Sequence, residues 1–402
     1  MHIRTKKLHI AIILPTIISK NGTAKQSLEL AKVLQSHGHN VSFFTYAYLK
    51  KSTYPEYNKF SVYSCVNVEK SLIYLFVKNV SNLENIYLYL SLVFIKKFRK
   101  LFIDKDISVY NPHDWMGLWV VTGLKQQKTI IANINDVPQR SEGLINNLKL
   151  SRDRKYKEQV DRIIALDNVN KEKVIKWLTI ASEKVTVVRS GIDIEKYKIF
   201  KNKYNLKKKV GLNKSDVLLV CANVLAPNRR YEDVLAMLAR FKKKGIVLHL
   251  LVLSKLDFSP AYAEKLKKII SQENLDDQVH FFDQFFTDKE RMTYIQNSDI
   301  LIFPNNPQTW GLTVLEAMAL GVPTIVSSGS GVSEVLHDGK DAYIFEKQNV
   351  TDLCNKITYC LSNKKRTRMM AKRGKQYVLE NFTWDRFSSE IESIMVESIN
   401  SK

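Results

Sequence analysis

Cysteine is scarce. Cys65, Cys221, Cys354 and Cys360 are the only four in 402 residues, and no two have the C-x2-C spacing of a zinc or redox site. So few, so widely scattered, argue against a disulfide framework and for a reducing compartment. Long apolar runs are also missing: the longest nearly uncharged one, residues 86–95, has ten residues, where a membrane-crossing helix needs about 20. The basic start MHIRTKKLHIAIILP holds an apolar run of only five residues, 10–14, with no small-residue cleavage site behind it. It reads as the first strand of a folded domain rather than a signal. Acidic residues are few, since 40 Asp and Glu against 62 Lys and Arg leave a net charge of +22, which favours an anionic neighbour. Nucleic acid is not expected to be that neighbour, because no reading element and no basic strand face interleaved with aromatics is legible. The one D-x-D, Asp104-Lys105-Asp106, precedes a strand instead of following one, so no carboxylate-held metal is expected.

What is present is an ordinary globular composition, 45% hydrophobic, 10% aromatic and 25% charged. At roughly 150 residues per domain the length allows two or three domains. Residues 8–14 form a continuous apolar run ending at Pro15, residues 23–37 carry Ala24, Leu28, Ala31 and Leu34 at helical spacing, and residues 41–45 read as the next strand. Solid apolar strands alternating with helices predict a parallel sheet covered on both faces. Further strands are expected at 107–111, 129–133, 162–166 and 184–188, then, after the lysine-rich stretch 195–215, at 217–222, 246–253, 279–282, 299–303 and 324–327. From 350 to 399 the pattern is helical apart from a break near 381–383. The expected fold is α/β: two Rossmann-like, doubly wound domains facing across a central cleft, with residues 1–200 forming an acceptor-binding domain and 201–380 a donor-binding domain. A C-terminal helix, 381–402, is expected to cross back to the first domain.

The most informative stretch is PNNPQTWGLTVLEAMALGVPTIVSSGSGVSE, from Pro304 to Glu334. A strand ends at Pro304, and a helix opens near Thr313 after Trp310-Gly311-Leu312. Backbone amides at such a helix start, with the positive end of the helix dipole, suit a phosphate. Glu316 lies one turn inside, placed to accept two hydrogen bonds from a ribose diol, and Gln308 stands eight positions earlier on the loop.

At these residues the chain resembles the retaining glycosyltransferases of family 4, which have the GT-B fold. Their pattern E-G-F-G-L-x-x-L-E-A-M-A-x-G-x-P is matched by Q-T-W-G-L-T-V-L-E-A-M-A-L-G-V-P, so Glu316 corresponds to the second glutamate and Gln308 to the first. Elsewhere Asn21-Gly22-Thr23 is similar to the family's G-G loop, Gly38-His39-Asn40-Val41 to its G-H-x-V turn, and Pro112-His113-Asp114-Trp115 to its H-x-H-D-W segment. Val187-Val188-Arg189-Ser190-Gly191-Ile192-Asp193 is similar to V-x-P-N-G-V-D. Pro227-Asn228-Arg229-Arg230-Tyr231-Glu232-Asp233 is similar to the loop carrying the family's diphosphate lysine, whose place Arg229 takes. An arginine fork serves phosphate as well as a lysine point charge does.

The resemblance implies an enzyme that moves a sugar from a nucleotide-sugar co-substrate to a saccharide or lipid-linked saccharide, in cell-surface polysaccharide or glycoconjugate synthesis, with retention and without a metal or other cofactor. It implies donor binding by Gly22, Arg229, Arg230, Glu316 and the amides of Gly311, Leu312 and Thr313, and roles at the transferred sugar for Gln308, Glu316 and Asn135. His113 is the expected acceptor contact. Three departures stand out: Asn223 replaces an arginine, so that Arg230 becomes the second cation; Asn135 stands where a histidine is common; and Gln308 carries no charge. They also permit an alternative, a catalytically impaired relative acting as a glycan-binding or scaffolding subunit. Residues 86–105 combine apolar side chains with Lys96, Lys97, Arg99 and Lys100, a pattern suited to peripheral contact with an anionic membrane. The expected location is the cytoplasm, at the inner face of the membrane.

Overall fold

The computed structural model describes residues 7–18, 21–67, 95–103, 105–124, 128–135, 137, 157–201, 204–307 and 310–402. Two compact units result: one takes the chain up to Ser190 together with Trp384–Lys402, the other Gly191–Thr383.

The first unit is built on a seven-stranded sheet of β1 (His9–Ile17), β2 (Asn40–Tyr48), β3 (Ser61–Asn67), β4 (Val109–Pro112), β5 (Thr129–Asn133), β6 (Arg162–Ala165) and β7 (Val185–Val187), in the order β3-β2-β1-β4-β5-β6-β7. Every pairing is parallel. Helices α1 (Gly22–Ser36), α2 (Asp114–Val121) and α3 (Asn168–Leu178) connect the strands. Ile10, Ala11, Ile12 and Ile13 are fully buried along β1, each large side chain contributing about 1.5–3 kcal/mol by leaving water. The strand runs on through Pro15, where the apolar run had suggested an end. Its pairing with β4 stops at Ile13, so Pro15 sits where β1 has β2 alone beside it and a missing N–H is tolerated.

The second unit holds helices α4 (Ile194–Ile199) and α5 (Leu206–Lys209) and a six-stranded parallel sheet of β8 (Val217–Cys221), β9 (Leu248–Leu253), β10 (Val279–Phe282), β11 (Ile300–Phe303), β12 (Thr324–Ser327) and β13 (Tyr343–Phe345). Its order is β10-β9-β8-β11-β12-β13. It is covered by α6 (Tyr231–Lys243), α7 (Pro260–Gln272), α8 (Asp288–Gln296), α9 (Leu312–Ala319), α10 (Val350–Ser362) and α11 (Lys364–Asn381). In both sheets the chain reverses direction of travel beside the first strand, between β1 and β4 and between β8 and β11. Ligands of open α/β sheets bind beyond the carboxyl ends of the strands at that switch point.

The unit boundaries differ from the expected 200/201 and 380/381. Tyr197 of α4, only 3% exposed, is buried beside Glu316, and the Ile192 amide donates to the Phe382 carbonyl at 3.0 Å; both contacts lie within the second unit and draw the linker into it. The last helix, α12 (Trp384–Asn400), belongs to the first unit and packs along α1. There the Glu392 carboxylate accepts from His37 Nδ1 at 2.6 Å and His39 Nε2 at 2.8 Å. His39 Nδ1 accepts the Leu8 amide at 3.2 Å, so its proton is on Nε2.

Burial works to raise the Glu392 pKa, but the two histidine hydrogen bonds outweigh it and hold the group below the usual carboxylate range. A carboxylate with a depressed folded-state pKa contributes stability above its unfolded value, about 4.3, and loses it as pH falls through the lowered folded value. Glu392→Gln is therefore expected to flatten the acid limb of the stability profile, the part that falls as pH drops below about 4.3. Urea midpoints across that range check it, and an unchanged acid limb would refute the assignment.

Candidate active site

In the second unit the loops leaving β8 and β11 are joined. The Asn306 amide donates to the Asn228 carbonyl at 2.9 Å, and Asn228 Nδ2 donates to the Pro307 carbonyl at 3.3 Å. Arg229 closes a single turn, Pro227–Arg229, on this joined edge and is half-buried. The loop is braced from behind by Ser254, whose hydroxyl accepts the Leu225 amide at 2.8 Å, and Asp283 does the same for Leu256 at 2.9 Å. Arg230 has a different role from the expected one. In a left-handed conformation (φ 50°) it forks onto Asp233 at 2.7 and 3.1 Å and reaches Glu232 at 3.3 Å. Its charge is matched by the two carboxylates of the first turn of α6 and is not held out for a ligand.

Helix α9 begins at Gly311 with no side-chain cap, so its first amides rely on other partners. A Cβ at Gly311 would meet Val332 at 2.8 Å and the Phe303 ring at 3.3 Å, and one at Gly329 would meet Asn306 at 2.3 Å. Glycine is what lets the helix start and the loop after β12 close on the same edge. The Thr313 hydroxyl points back to the Ala222 carbonyl at the end of β8, at 3.4 Å. Trp310 is buried, its ring 5.8 Å from that of Phe382. Gln308 lies outside the described residues.

Glu316 is not an open carboxylate. Arg291 of α8 grips both its oxygens, Nη2 to Oε1 at 2.8 Å and Nη1 to Oε2, and Tyr197 lies buried beside it. Burial lowers and the Glu316 charge raises the Arg291 pKa, with a net rise, while burial and the same carboxylate raise that of Tyr197. Both partners therefore keep their protons at any ordinary pH. The sequence pattern gave no sign of either: Arg291 follows a capping box in which Thr287 and Glu290 satisfy each other's amides at 2.8 and 3.2 Å, a motif that marks a helix start and nothing more.

In the first unit the sites expected at Gly22 and Asn135 come together. Asn21 caps α1 by accepting the Ala24 amide at 2.8 Å, Gly22 is exposed with open space around it, and Asn135 Nδ2 donates to the Thr23 hydroxyl at 3.2 Å. His113 departs from expectation. It is fully buried, Nε2 lying 3.0 Å from Asn111 Oδ1 and 3.4 Å from Asn133 Nδ2, and burial pushes its pKa down to about 3. A neutral ring locked among asparagines stiffens the ends of β4 and β5 and offers no surface to an acceptor. Of the D-x-D, Asp104 lies outside the described residues and Asp106 is a solvent-exposed partner of Lys128 at 3.5 Å.

The family model described as Glycosyl transferases group 1 matches residues 202–377, and that described as Glycosyltransferase Family 4 matches residues 20–196. The chain belongs to glycosyltransferase family 4. This glycosyltransferase is 23% identical to the uncharacterized glycosyltransferase MJ1607 of Methanocaldococcus jannaschii over 92% of each chain. It is 25% identical to the N-acetyl-alpha-D-glucosaminyl L-malate synthase of Bacillus anthracis over 47% of its own length, an alignment spanning about half (48%) of that relative. The crystal structure of Anabaena HepE in complex with UDP superposes with a TM-score of 0.73 at 14% identity, covering 97% of this chain and 100% of that one. That likeness fixes the fold as GT-B. Among the described residues no helix is long and apolar enough to cross a membrane.

Proposed function

We propose that this family 4 glycosyltransferase transfers a sugar from a nucleoside-diphosphate sugar to a saccharide or lipid-linked saccharide, with retention and without a metal. The observation carrying this reading is the convergence of Arg229, the uncapped start of α9 and Glu316 on one edge of the second sheet, at its switch point. A diphosphate leaving group develops charge where Arg229 and the amides of Gly311, Leu312 and Thr313 can stabilise it, and a ribose hydroxyl can donate to Glu316. In the first unit, the start of α1 with Gly22, Thr23 and Asn135 is the proposed contact for phosphate or sugar hydroxyls. The acceptor oxygen attacks the anomeric carbon on the face the diphosphate leaves. The carbon–oxygen bond to phosphate breaks, the glycosidic bond forms, and the acceptor proton passes to the departing phosphate oxygen.

Thermal-shift measurements with UDP, GDP, ADP and their sugar conjugates test the reading, UDP first because HepE was crystallised with it. A ligand of the folded state at a hundredfold excess over its Kd adds about 2.7 kcal/mol. One nucleotide should shift the melting point, and the shift should vanish in Glu316→Ala and Arg229→Ala, each measured against its own unliganded baseline. No shift with any nucleotide sinks the reading.

We also propose peripheral contact with anionic lipid through residues 96–103. Lys96, Lys97 and Lys100 are exposed there and Ile103 is 60% exposed, whereas Phe98 and Phe102 are buried in the core. Arg99 is excluded from that role because its guanidinium donates to the Val120 and Trp119 carbonyls at 2.9 and 2.8 Å, closing the end of α2. Residues 86–94 of the expected segment lie outside the described residues. At about 1 kcal/mol per surface cation, reversing Lys96, Lys97 and Lys100 to glutamate should lower affinity for anionic liposomes by at least about a hundredfold. Flotation that is equal for the variant and for neutral vesicles counts against the contact.

A further inference from the structure

The second unit has a cavity of about 610 Å³ at the amino end of β13, beside α10 and α11, a size ordinary for small-molecule sites, about 300–1,000 Å³. The loops carrying Arg229 and the start of α9 follow the carboxyl ends of β8 and β11, at the other end of the same parallel sheet. Arg366 and Arg373 of α11 line the cavity, and both are held by neutral acceptors. Arg366 Nη1 donates to the Tyr359 hydroxyl at 3.1 Å, Arg373 Nε to the Lys340 carbonyl at 2.9 Å and Arg373 Nη2 to the Gly339 carbonyl at 3.5 Å. A guanidinium has five N–H donors, so each fork keeps donors for a ligand. Lys356 of α10 pairs with Asp338 at 2.6 Å, and the other Asp338 oxygen accepts the Ile344 amide at 2.8 Å. That carboxylate is half-exposed and has lone pairs left for a hydroxyl. Tyr359, 39% exposed, stands edge-on against the buried Tyr343 with ring centroids 5.7 Å apart, and Met369 is 52% exposed on the same cavity. The cavity thus combines three cations, one carboxylate and an uncovered aromatic ring.

We propose that this cavity is a second saccharide site, which holds a sugar bearing a carboxylate or phosphate without reacting it. The anion meets the Arg366 and Arg373 forks, which suit either group. A ring hydroxyl donates to Asp338, and the Tyr359 ring covers an apolar sugar face. A bare polyanion fits less well, because Asp338 repels it and the exposed ring gives it nothing. Lys365, Arg368 and Lys372 form a second exposed stripe on α11, one position before Arg366, Met369 and Arg373, and do not line the cavity. They distinguish binding in the cavity from attraction to a basic surface. The proposal does not depend on the nucleotide-binding reading, since the two sites lie at opposite ends of the sheet.

The test is calorimetric titration of the full chain with trigalacturonate and glucose 1-phosphate, beside neutral maltotriose and inorganic tripolyphosphate. At least one anionic saccharide should bind, and the tighter of the two identifies the anion; maltotriose and tripolyphosphate should bind at least about tenfold more weakly. Arg366→Ala should weaken the saccharide at least about tenfold, as for a lost hydrogen bond to a charged group, and Tyr359→Ala should weaken it as well. The triple variant Lys365→Ala, Arg368→Ala, Lys372→Ala removes three charges outside the cavity and should change affinity by less than about fivefold. Arg366 is exposed, so Arg366→Ala keeps the fold, which an unchanged melting midpoint checks, and it carries the test if Tyr359→Ala unfolds. A loss in the triple variant as large as in Arg366→Ala, or tripolyphosphate binding as tightly as the saccharides, means a plain basic surface and overturns the proposal. So does failure of both anionic saccharides to bind. UDP is titrated in parallel: binding that Arg366→Ala leaves unchanged agrees with two separate sites, and binding that it abolishes makes the cavity the nucleotide site and overturns the proposal. Absence of any UDP binding counts against the nucleotide reading and leaves the saccharide result standing.

Discussion

Arg229→Ala is expected to lower turnover by about two to three orders of magnitude, the effect of removing one well-placed donor to a developing anion, about 3–4 kcal/mol. The size follows from the mechanism: with no metal invoked, the charge gathering on the departing diphosphate has few fixed partners. Arg229 is the cation carried by the turn that the Asn306–Asn228 hydrogen bond pins to the loop before α9. Arg229→Lys should recover much of the rate, since a point charge in this place still meets phosphate. Arg230 supplies the control. Its guanidinium is matched by Asp233 and Glu232 at the start of α6, and a surface pair of this kind contributes about 1 kcal/mol or less. Arg230→Ala should therefore change turnover by less than about fivefold. Initial rates under saturating donor separate the two, and similar losses at both positions would overturn the division of roles.

The sheets were legible in the sequence where the strands are solid and apolar. Residues 129–133, 279–282 and 324–327 coincide with β5, β10 and β12; β5 and β12 are interior strands buried along their whole length, whose centres read as apolar runs, and the edge strand β10 is marked by Val279, Phe281 and Phe282. The missed strands are those at sheet edges. In β3 the sequence SVYSCVN mixes Ser61, Ser64 and Asn67 among its apolar residues, and β13 is only three residues long. The helix start at Gly311 was readable from the strand, loop and helix pattern around it, and the loop at Arg229 from its resemblance to the family's diphosphate loop. The Arg291 clamp was not, since its partner lies 25 positions away and the helical pattern of α8 gives no reason to single it out. His113 and Arg230 mislead for a related reason: a motif names the residue but not the neighbours, and here burial and two adjacent carboxylates decide what each side chain does.

Those neighbours also make a stability prediction in which the double variant outlasts the single ones. Arg291→Met leaves the Glu316 carboxylate enclosed with Tyr197 alone, and Glu316→Leu leaves the guanidinium enclosed without its counter-charge. Breaking a buried pair from one side costs about 3–5 kcal/mol; with Arg291 still 27% exposed the lower end, about 3 kcal/mol, applies. In a unit of this size that lowers Tm by about 6–12 °C. Replacing both partners with apolar side chains of similar volume removes the stranded charge, and such replacements are often neutral. Arg291→Met with Glu316→Leu should thus return to within about 1 kcal/mol of the wild type, a coupling well above that of independent sites. Additive losses in thermal and urea unfolding would show that the two side chains are held by other contacts. A recovered fold that no longer binds any nucleoside diphosphate would separate what the pair does for the protein from what Glu316 does for its ligand, because the restored core lacks only the acceptor that the fork holds in place.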